Sequence, residues 1–466
     1  MSKPEAKTMF EPEMPVVPED WEVLPFKNAT KVVSDKGKRV KQRDYQESGK
    51  IPVIDQGQDF IGGYTDEEDM AFYEELPVIL FGDHTRSIKY VDKPFAVGAE
   101  GVKILKPAKR YIPKFFYFLL RSLQIPSRGY SRHFQFLKKF HLPVAPETQQ
   151  KRIVAEIEKQ FSRLDEAVAN LKRVKANLKH YKTSILKTAM TGKLTEDWRE
   201  KNPNIESAEK LIKRISKKRQ EESKKRKKKS KKQKEISYSH HPKVTSWVNV
   251  QLNQLIYIAG RIGWRGLKAD EYTDEGPLFL SVHALNYGEE VRYDQANHIS
   301  EERYVESPEI MLYENDILLC KDGAGIGKIG IVRNLPGKAT VNSSLLVIRA
   351  QEAFIPEFLY YFLSGPDLQG IVKERITGSA TPHLFQRDIK LFVLSVPPLA
   401  EQKEIVNRIE SHLSVIEGIS YQVDMELKRA DRLQQSILKK AFSGKLVPQA
   451  IVPRFTDNLR KEDYAN

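Results

Sequence analysis

The glycines Gly325-Ile-Gly327-Lys-Ile-Gly330 match the GxGxxG spacing that can cradle a pyrophosphate. Such a site requires a helix to begin at the glycines, so that its first N–H groups face the phosphates. Here Ile331-Val332 continue a strand pattern and Arg333–Gly337 has the composition of a turn. The spacing therefore predicts a glycine-rich β-turn. A Walker A loop is excluded too, because Ile329 stands where Ser or Thr should coordinate magnesium.

Other residue types that could do chemistry form no catalytic constellation. Pro397-Pro398 lies between Val396 and Leu399, which predicts a strand-to-helix junction and not the Asn/Asp-Pro-Pro-aromatic loop of amino-methyltransferases. The adjacent histidines His240-His241 belong to a polar stretch and match no metal-ligand spacing. The single cysteine, Cys320, allows no disulfide within the chain, which indicates a reducing compartment. We predict that this chain carries no catalytic, cofactor-binding or metal-binding residues.

Polar loops could instead contact nucleic acid, because Arg, Lys, Asn, Gln and His read base edges while Ser, Thr and Lys hold phosphates. The candidates before residue 140 are Gln56, Gln58, His84, Arg86, Arg132, His133 and Gln135. The candidates after residue 260 are Arg261, Arg265, Lys321, Asn342, Ser343, His383 and Gln386. Each position alone is more typical of an ordinary solvated residue. Loops that recur at equivalent places rank higher: Asp83-His84 with Lys321-Asp322, and His133–Gln135 with His383–Gln386.

The elements that must position these loops occur twice. Leu142–Leu194 aligns without a gap with Leu394–Leu446, at a constant offset of 252 residues. Both stretches contain a PxxxQK segment and end in SILKxAxxGKL. A gapless repeat of this length indicates two copies of one structural unit and a pseudo-symmetric molecule.

Each copy contains a long helix, predicted over residues 147–190 and from about Leu399 to Phe442. Apolar residues recur in steps of three and four, which makes one stripe on each helix. We predict that the stripes pair the helices through Ile157, Leu164, Leu171, Leu178, Ile185, Ile409, Leu413, Val423, Leu433 and Ile437. A helix of about 40 residues spans roughly 60 Å. A pseudo-twofold axis would make the pair antiparallel and hold the two globular domains a fixed distance apart.

The net charge of +15 is concentrated in one segment, because Lys213–Lys234 holds 14 Lys and Arg residues against two Glu. Repulsion at that density predicts disorder or transient helix. Two interpretations stay open, non-specific phosphate contact and a solvated spacer, and we favour a spacer with some electrostatic help. The N-terminal residues lack the apolar core of a signal peptide and the apolar runs are too short for a membrane span, so we expect a cytoplasmic protein with no membrane contact.

These observations predict an α+β fold in which two globular mixed α/β domains are joined by two long helices packed as an antiparallel coiled coil, with a pseudo-twofold repeat. The 466 residues suffice for several domains. The expected divisions are a disordered N-terminus (1–18), a first globular domain (19–145), a first helix (146–195), a Lys-rich linker (196–245), a second globular domain (246–397), a second helix (398–447) and a tail (448–466).

The arrangement resembles the specificity subunit of type I restriction–modification systems. A Trp opens each globular segment (Trp21, Trp247), PxxxQ(K)xIV begins each helix, and SILKxAxxGKL closes it. Thr195-Glu-Asp-Trp-Arg199 is similar to that family's post-helix segment. The chain departs from the family in its lysine-rich linker and in Ser281-Val-His-Ala, where the family often carries an Arg.

The resemblance implies a non-catalytic DNA-recognition subunit. In that family two target-recognition domains each read one half of a split site in double-stranded DNA. The paired helices set the spacing and dock two modification (methyltransferase) subunits, and restriction (motor-nuclease) subunits complete the complex. S-adenosylmethionine is then expected on the modification subunit, and ATP and magnesium on the restriction subunit.

Two other functional classes remain open on the sequence alone. A coiled-coil scaffold could bind nucleic acid non-specifically through its lysine block, which predicts that deleting Lys217–Lys234 abolishes binding. A methyltransferase or nuclease acting alone would bind S-adenosylmethionine by itself, and we expect no such binding.

Overall fold

A computed structural model of the chain describes residues 10–98, 101–127, 129, 131–225, 235–261, 267–377 and 383–448. The chain divides into two compact units. One comprises residues 1–173 with 423–466, and the other comprises residues 174–422. Each long helix contributes one part to each unit, so each unit holds one globular domain and segments of both long helices.

Before residue 145 the elements are short apart from one helix. The strands are β1 (Glu22–Pro25), β2 (Thr30–Val33), β3 (Ile51–Ile54), β4 (Gly63–Thr65), β5 (Ala71–Phe72), β6 (Val78–Gly82), β7 (Ile88–Val91), β8 (Phe95–Val97), β9 (Val102–Pro107) and β10 (His141–Val144). The helices up to residue 225 are α1 (Phe26–Ala29), α2 (Pro113–Ser122), α3 (Phe134–Leu137), α4 (Glu147–Met190), α5 (Glu196–Lys201) and α6 (Ala208–Lys225).

The later part of the chain follows the same plan. Its strands are β11 (Tyr238–His240), β12 (Val248–Gln251), β13 (Ile256–Gly260), β14 (Tyr272–Leu280), β15 (Asn297–Ile299), β16 (Ile317–Cys320), β17 (Ile329–Ile331), β18 (Ala339–Val341), β19 (Leu345–Ala350) and β20 (Val393–Val396). Its helices are α7 (Glu301–Val305), α8 (Pro356–Ser364), α9 (Pro366–Thr377), α10 (Gln386–Lys390) and α11 (Leu399–Phe442). Proline occupies the first turn of both α2 and α8, where its missing N–H costs little.

The two globular domains share the strand order of their main sheet. In the first domain an antiparallel sheet has the order β2-β9-β6-β7, and in the second the order is β13-β19-β16-β17. A second sheet in each domain contains one parallel pair, β3 with β8 and β14 with β18. A terminal antiparallel pair, β1 with β10 and β12 with β20, leads into the long helix. The repeat therefore includes the globular domains, although their sequences echo each other only faintly.

Helices α4 and α11 are each 44 residues long, as the apolar periodicity predicts. In the first unit the start of α4 shares a hydrophobic core with the end of α11, and Ile157 and Ile437 are both buried there. In the second unit the end of α4 shares a core with the start of α11, through Ile185, Ile409 and Leu413. In each unit the start of one long helix therefore lies beside the end of the other, which is the antiparallel pairing expected from the sequence. Glycines in the left-handed region, Gly192 and Gly444, end the two helices.

The predicted pairing residues are not equally covered. Ile157, Ile185, Ile409, Leu413, Val423 and Ile437 are buried. Leu164, Leu171 and Leu178 are half-buried. Leu433 is 49% exposed, so its assignment to the pairing stripe is wrong. Leu433 satisfies the three-four spacing, but its neighbours Val423, Ala430 and Ile437 already form the buried line on this part of α11.

The start of each long helix is attached to its domain by the same buried hydrogen bonds. Trp21 Nε1 donates to Gln149 Oε1 at 2.7 Å, and Trp247 Nε1 donates to Glu401 Oε2 at 2.8 Å. The adjacent glutamine, Gln150 or Gln402, makes three further bonds in each copy. It accepts from the backbone N–H of Ile112 at 2.7 Å or of Ile355 at 2.9 Å, and its amide donates to two carbonyl oxygens. The repeated Trp and PxxxQ motifs therefore belong to one junction.

The lysine-rich segment is helical beyond the short amphipathic piece that its sequence indicates around Ala208–Ile215. Helix α6 extends through Lys225, and Leu211, Ile212 and Ile215 on its inner face are buried in the core of the second unit. The apolar face holds the helix against the domain, which offsets the repulsion among its cations. Several of those cations are also neutralised, as in the 2.7 Å pair of Lys213 with Glu209. Residues 226–234 of the lysine block lie outside the described residues.

Residues 10–18 also depart from the predicted disorder, whereas residues 1–9 lie outside the described residues. Phe10 packs edge-on against Phe136, with ring centres 5.7 Å apart, and Lys139 Nζ donates to its carbonyl oxygen at 2.9 Å. Val17 packs against the same core. Residues 10–18 therefore belong to the first unit, because aromatic burial outweighs their Pro- and Glu-rich composition.

Candidate nucleic-acid interface

In the first domain the predicted loops meet at the end of β6. The carbonyl oxygen of Asp83 accepts from the backbone N–H of His133 at 2.8 Å and from its Nδ1 at 2.9 Å. Asp83 Oδ1 accepts from the backbone N–H of Phe134 at 2.8 Å. These bonds fix the segment carrying Arg132 and Gln135 beside the β6–β7 turn, which carries His84 and Arg86.

The loop after β3 joins the same surface. Gln56 Oε1 accepts from the backbone N–H of His84 at 3.2 Å, and the Gln56 carbonyl accepts from Ser87 Oγ at 2.8 Å. Lys89 stabilises this loop, because its nearly buried ammonium donates to the carbonyl of Asp55 at 2.8 Å. Burial lowers the pKa of Lys89, and the nearby Asp55 carboxylate opposes that shift. A buried cation with carbonyl partners makes the loop a rigid support.

The first-domain candidates differ in what they present to solvent. Gln58, Arg86, Arg132 and Gln135 are exposed, and Gln56 and His84 are half-buried. His133 is only 1% exposed, and its ring bonds to Asp83. The structure thus gives His133 the geometry of a residue that positions the loop. Phe60, which the sequence reasoning missed, is 52% exposed on the loop that Lys89 supports.

The second domain gathers its loops at the equivalent strand end. The carbonyl of Lys321 accepts from the backbone N–H of Leu384 at 2.8 Å, as that of Asp83 accepts from His133. The N–H of Lys321 donates to the carbonyl of Ser344 at 2.8 Å, and Ser344 N–H donates to Asn342 Oδ1 at 3.1 Å. Asp322 pairs with the ring of His383. Residues from three separate loops, including Ser343, therefore meet where β16 ends.

A cleft of about 370 Å³ opens between these loops. Its walls include Lys321, His383 and Gln386, which the sequence predicted, and Phe385 and Arg387, which it did not. The ring of Phe385 is 41% exposed and lies 4.6 Å from the guanidinium of Arg387. A cleft with basic groups and a partly exposed aromatic ring is suited to phosphate oxygens and nucleobases.

Arg261 lines the same cleft but directs its charge inward. It is 4% exposed, its Nε donates to the carbonyl of Val341 at 3.1 Å, and its guanidinium lies 5.5 Å from the ring of Phe279. The prediction of Arg261 as a base contact therefore does not fit the structure. Its side chain is buried and bonds to the backbone of its own domain instead of facing solvent. Arg265 lies outside the described residues.

The glycine-rich stretch 325–330 forms no nucleotide site. A single 3-10 turn at Gly323–Gly325 leads into β17, and no α-helix starts at these glycines. Across the described ranges no group of three or more His, Cys, Asp or Glu side chains could hold a metal ion. Nor does any helix in those ranges have the length and apolar content to cross a membrane.

The duplicated topology and the paired polar surfaces define a protein with two recognition domains on a shared helical support. A family model described as "Type I restriction modification DNA specificity domain" matches residues 18–180 and 246–429. The chain therefore belongs to the family of type I restriction–modification specificity subunits, the DNA-recognition component, which is not the catalytic one.

Individual relatives agree with this assignment. The type I restriction enzyme EcoBI specificity subunit of Escherichia coli is 27% identical over 403 residues, covering 84% of this chain and 77% of that protein. The EcoR124I/EcoR124II specificity subunit of the same species is 21% identical over 429 residues, covering 88% and 91%. A solved chain from work on "complex assembly and conformational transition of the type I R-M system" shares the fold with a TM-score of 0.61 at 15% identity, covering 92% and 99%.

Proposed function

We propose that each globular domain reads one half of a bipartite sequence in double-stranded DNA. The observation that carries this proposal is the equivalent placement of the two polar surfaces. Each is built at the end of the equivalent strand, β6 or β16, by the same backbone bond, in which the N–H of His133 or Leu384 donates to the carbonyl of Asp83 or Lys321. Their exposed side chains differ, so one scaffold presents two surfaces that would recognise different bases.

The antiparallel long helices then set the distance between the two half-sites. Two modification subunits dock on this scaffold, and restriction subunits complete the assembly. S-adenosylmethionine binds the modification subunit, and ATP with magnesium binds the restriction subunit. Within each unit, the buried core that joins the start of one long helix to the end of the other supports the pairing of α4 with α11.

A scaffold that binds nucleic acid only through its lysine block is less well supported. Part of that block forms α6, whose Lys213, Arg214 and Lys218 pair with carboxylates of the chain itself. Charges already paired release fewer counterions from DNA.

The test is a domain exchange followed by methylated-base sequencing of host DNA. Residues 19–145 are replaced by the corresponding domain of a relative with a known target, and the modification subunit is coexpressed. We expect one half of the methylated motif to change while the other half and the spacer length stay the same. The reciprocal exchange of 246–397 serves as the control. A change in both halves after one exchange contradicts independent reading.

A further inference from the structure

The loop after β3, residues 55–62, exposes two neighbouring apolar side chains beside the polar surface of the first domain. Phe60 is 52% exposed and Ile61 is 37% exposed. This apolar pair contributes little to the stability of the fold, because much of its area stays in contact with water. Large apolar side chains that remain together on a surface indicate a site of contact with another molecule.

Buried polar contacts hold the apolar pair in place. The ammonium of Lys89, which is 5% exposed, donates to the carbonyl oxygens of Asp55 at 2.8 Å and of Asp59 at 2.5 Å. The loop also closes tightly around Asp55, because a Cβ at Gly57 or Gly62 would lie within 2.9 Å of its carboxylate oxygens. The loop is thus already ordered before binding, so little conformational entropy is lost when the apolar pair makes a contact.

The composition of the loop tip favours the bases of DNA over phosphates or a protein surface. Residues 58–62 include no Lys or Arg, and Asp59 is exposed beside Phe60. A carboxylate repels phosphate but accepts from the amino group of cytosine. The apolar pair by itself offers far less area than the roughly 800 Å² per partner of a stable protein interface. Phe and Ile are, however, side chains that proteins insert between stacked base pairs, which kinks the duplex.

The second domain exposes an aromatic ring at the equivalent place. In the first domain the N–H of Gly98 donates to the carbonyl of Ile54, the last residue of β3, at 2.9 Å. In the second domain the N–H of Asn342 donates to the carbonyl of Leu280, the last residue of β14, at 2.9 Å. Tyr287 lies seven residues after Leu280 and is 52% exposed. The loops that leave these equivalent strands therefore both carry an exposed ring.

Equivalent hairpins attach the two loops to the polar surfaces. Ser87 Oγ donates to the carbonyl of Gln56 at 2.8 Å, and Lys328 Nζ donates to Asn286 Oδ1 at 2.6 Å. Ser87 and Lys328 correspond, because each immediately precedes the second strand of its hairpin, β7 or β17. Both domains therefore hold an aromatic ring beside the strand end where the polar surface is built.

We propose that the loop after β3 inserts Phe60 as an apolar wedge at a base step in or beside the half-site that the first domain reads, with Ile61 packed beside it. This inference rests on the function proposed above. It adds that the domain recognises how readily a base step unstacks, in addition to the base edges. Pyrimidine–purine steps unstack most easily, so we expect such a step where the wedge enters.

The test uses the chain assembled with its modification subunits and a duplex that carries the methylated motif found by sequencing. 2-Aminopurine, whose fluorescence rises when it is unstacked, replaces single bases in and beside the half-site assigned to residues 19–145, away from the methylated base. At saturating protein we expect a rise at one or two adjacent positions with the wild type and none with Phe60→Ala. Phe60→Ala should also weaken binding by about fivefold to fiftyfold. Tyr73→Ala removes another exposed ring of this domain, after β5, and as the matched control should change neither readout.

Two results would overturn the wedge. One is a fluorescence rise and an affinity for Phe60→Ala that equal those of Tyr73→Ala. The other is loss of assembly with the modification subunits in Phe60→Ala without DNA, seen by size-exclusion chromatography, which would assign the apolar pair to a protein contact. Failure of the function proposed above gives a different result, because exchange of residues 19–145 would then leave the methylated motif unchanged.

Discussion

The buried ion pair at the start of α11 can be tested against its uncharged counterpart at the start of α4. Glu401 is fully buried, pairs with Arg199, and also accepts from Trp247 Nε1 and Thr195 Oγ1. Arg199→Leu would leave a buried carboxylate with only two neutral donors. Stranding one partner of a buried pair costs about 3–5 kcal/mol, and the two remaining donors place this case near 3 kcal/mol.

The double variant Arg199→Leu with Glu401→Gln should recover about half of that loss. It recreates the neutral side chain that accepts from Trp21 in the first copy, where Gln149 occupies the equivalent position. What stays lost is the bond from Arg199 to the Gly192 carbonyl and the contact of its guanidinium with the Trp247 ring, together about 1–2 kcal/mol.

Urea unfolding followed by tryptophan fluorescence measures these differences in the free energy of unfolding. Lys201→Leu, on the exposed side of the same short helix, is the control and should change stability by less than about 0.5 kcal/mol. A change below about 1 kcal/mol for Arg199→Leu, or a double variant no more stable than the single one, would refute the reasoning.

Three further outcomes are expected. Ile409→Asp, at a fully buried position of α11, should destabilise the protein by about 4 kcal/mol or prevent folding, whereas Leu433→Asp, at a half-exposed position of the same helix, should stay within about 1 kcal/mol in the same urea assay. In the assembled complex, Arg387→Ala should weaken DNA binding by about 1–3 kcal/mol if Arg387 contacts a base. If Arg387 contacts a phosphate, the slope of log affinity against log salt concentration should decrease by about 1. Lys243→Ala is the control, and an unchanged affinity and slope for Arg387→Ala would show that the cleft is not part of the interface. Burial, and after it the charge of Arg199, lowers the pKa of His241, whose Nδ1 accepts from Val244 N–H at 2.9 Å. The folded state therefore resists protonation of His241, and the stability of the protein should fall as the pH drops below about 6.5. His241→Asn should make the melting temperature less dependent on pH in this range, and an unchanged pH dependence would contradict this role of His241.

The sequence by itself determined the repeat, both long helices and their ends. Periodic apolar residues and a glycine at each C-terminus are local signals, and both helices begin and end where those signals predict. The sequence also pointed to loops that contact each other in the structure. Asp83 contacts His133 in the first domain, and Lys321 contacts Leu384 at the equivalent place in the second. The function of the family followed from the motifs at the ends of the long helices, which occur twice because the fold contains two copies of the same unit.

Only the tertiary structure decided which side chains face solvent and how the two domains correspond. His133 and Arg261 are polar loop residues in sequence, but both are buried by residues distant in the chain. In the sequence Phe385 and Arg387 resemble ordinary residues at the start of a helix. In the structure both line the same cleft as Lys321. The shared strand order was invisible because a sheet requires only alternating burial, which many sequences satisfy. The amphipathic residues around Ala208–Ile215 were visible in the sequence, but the continuation of α6 to Lys225 was not, because local charge repulsion opposes a helix there.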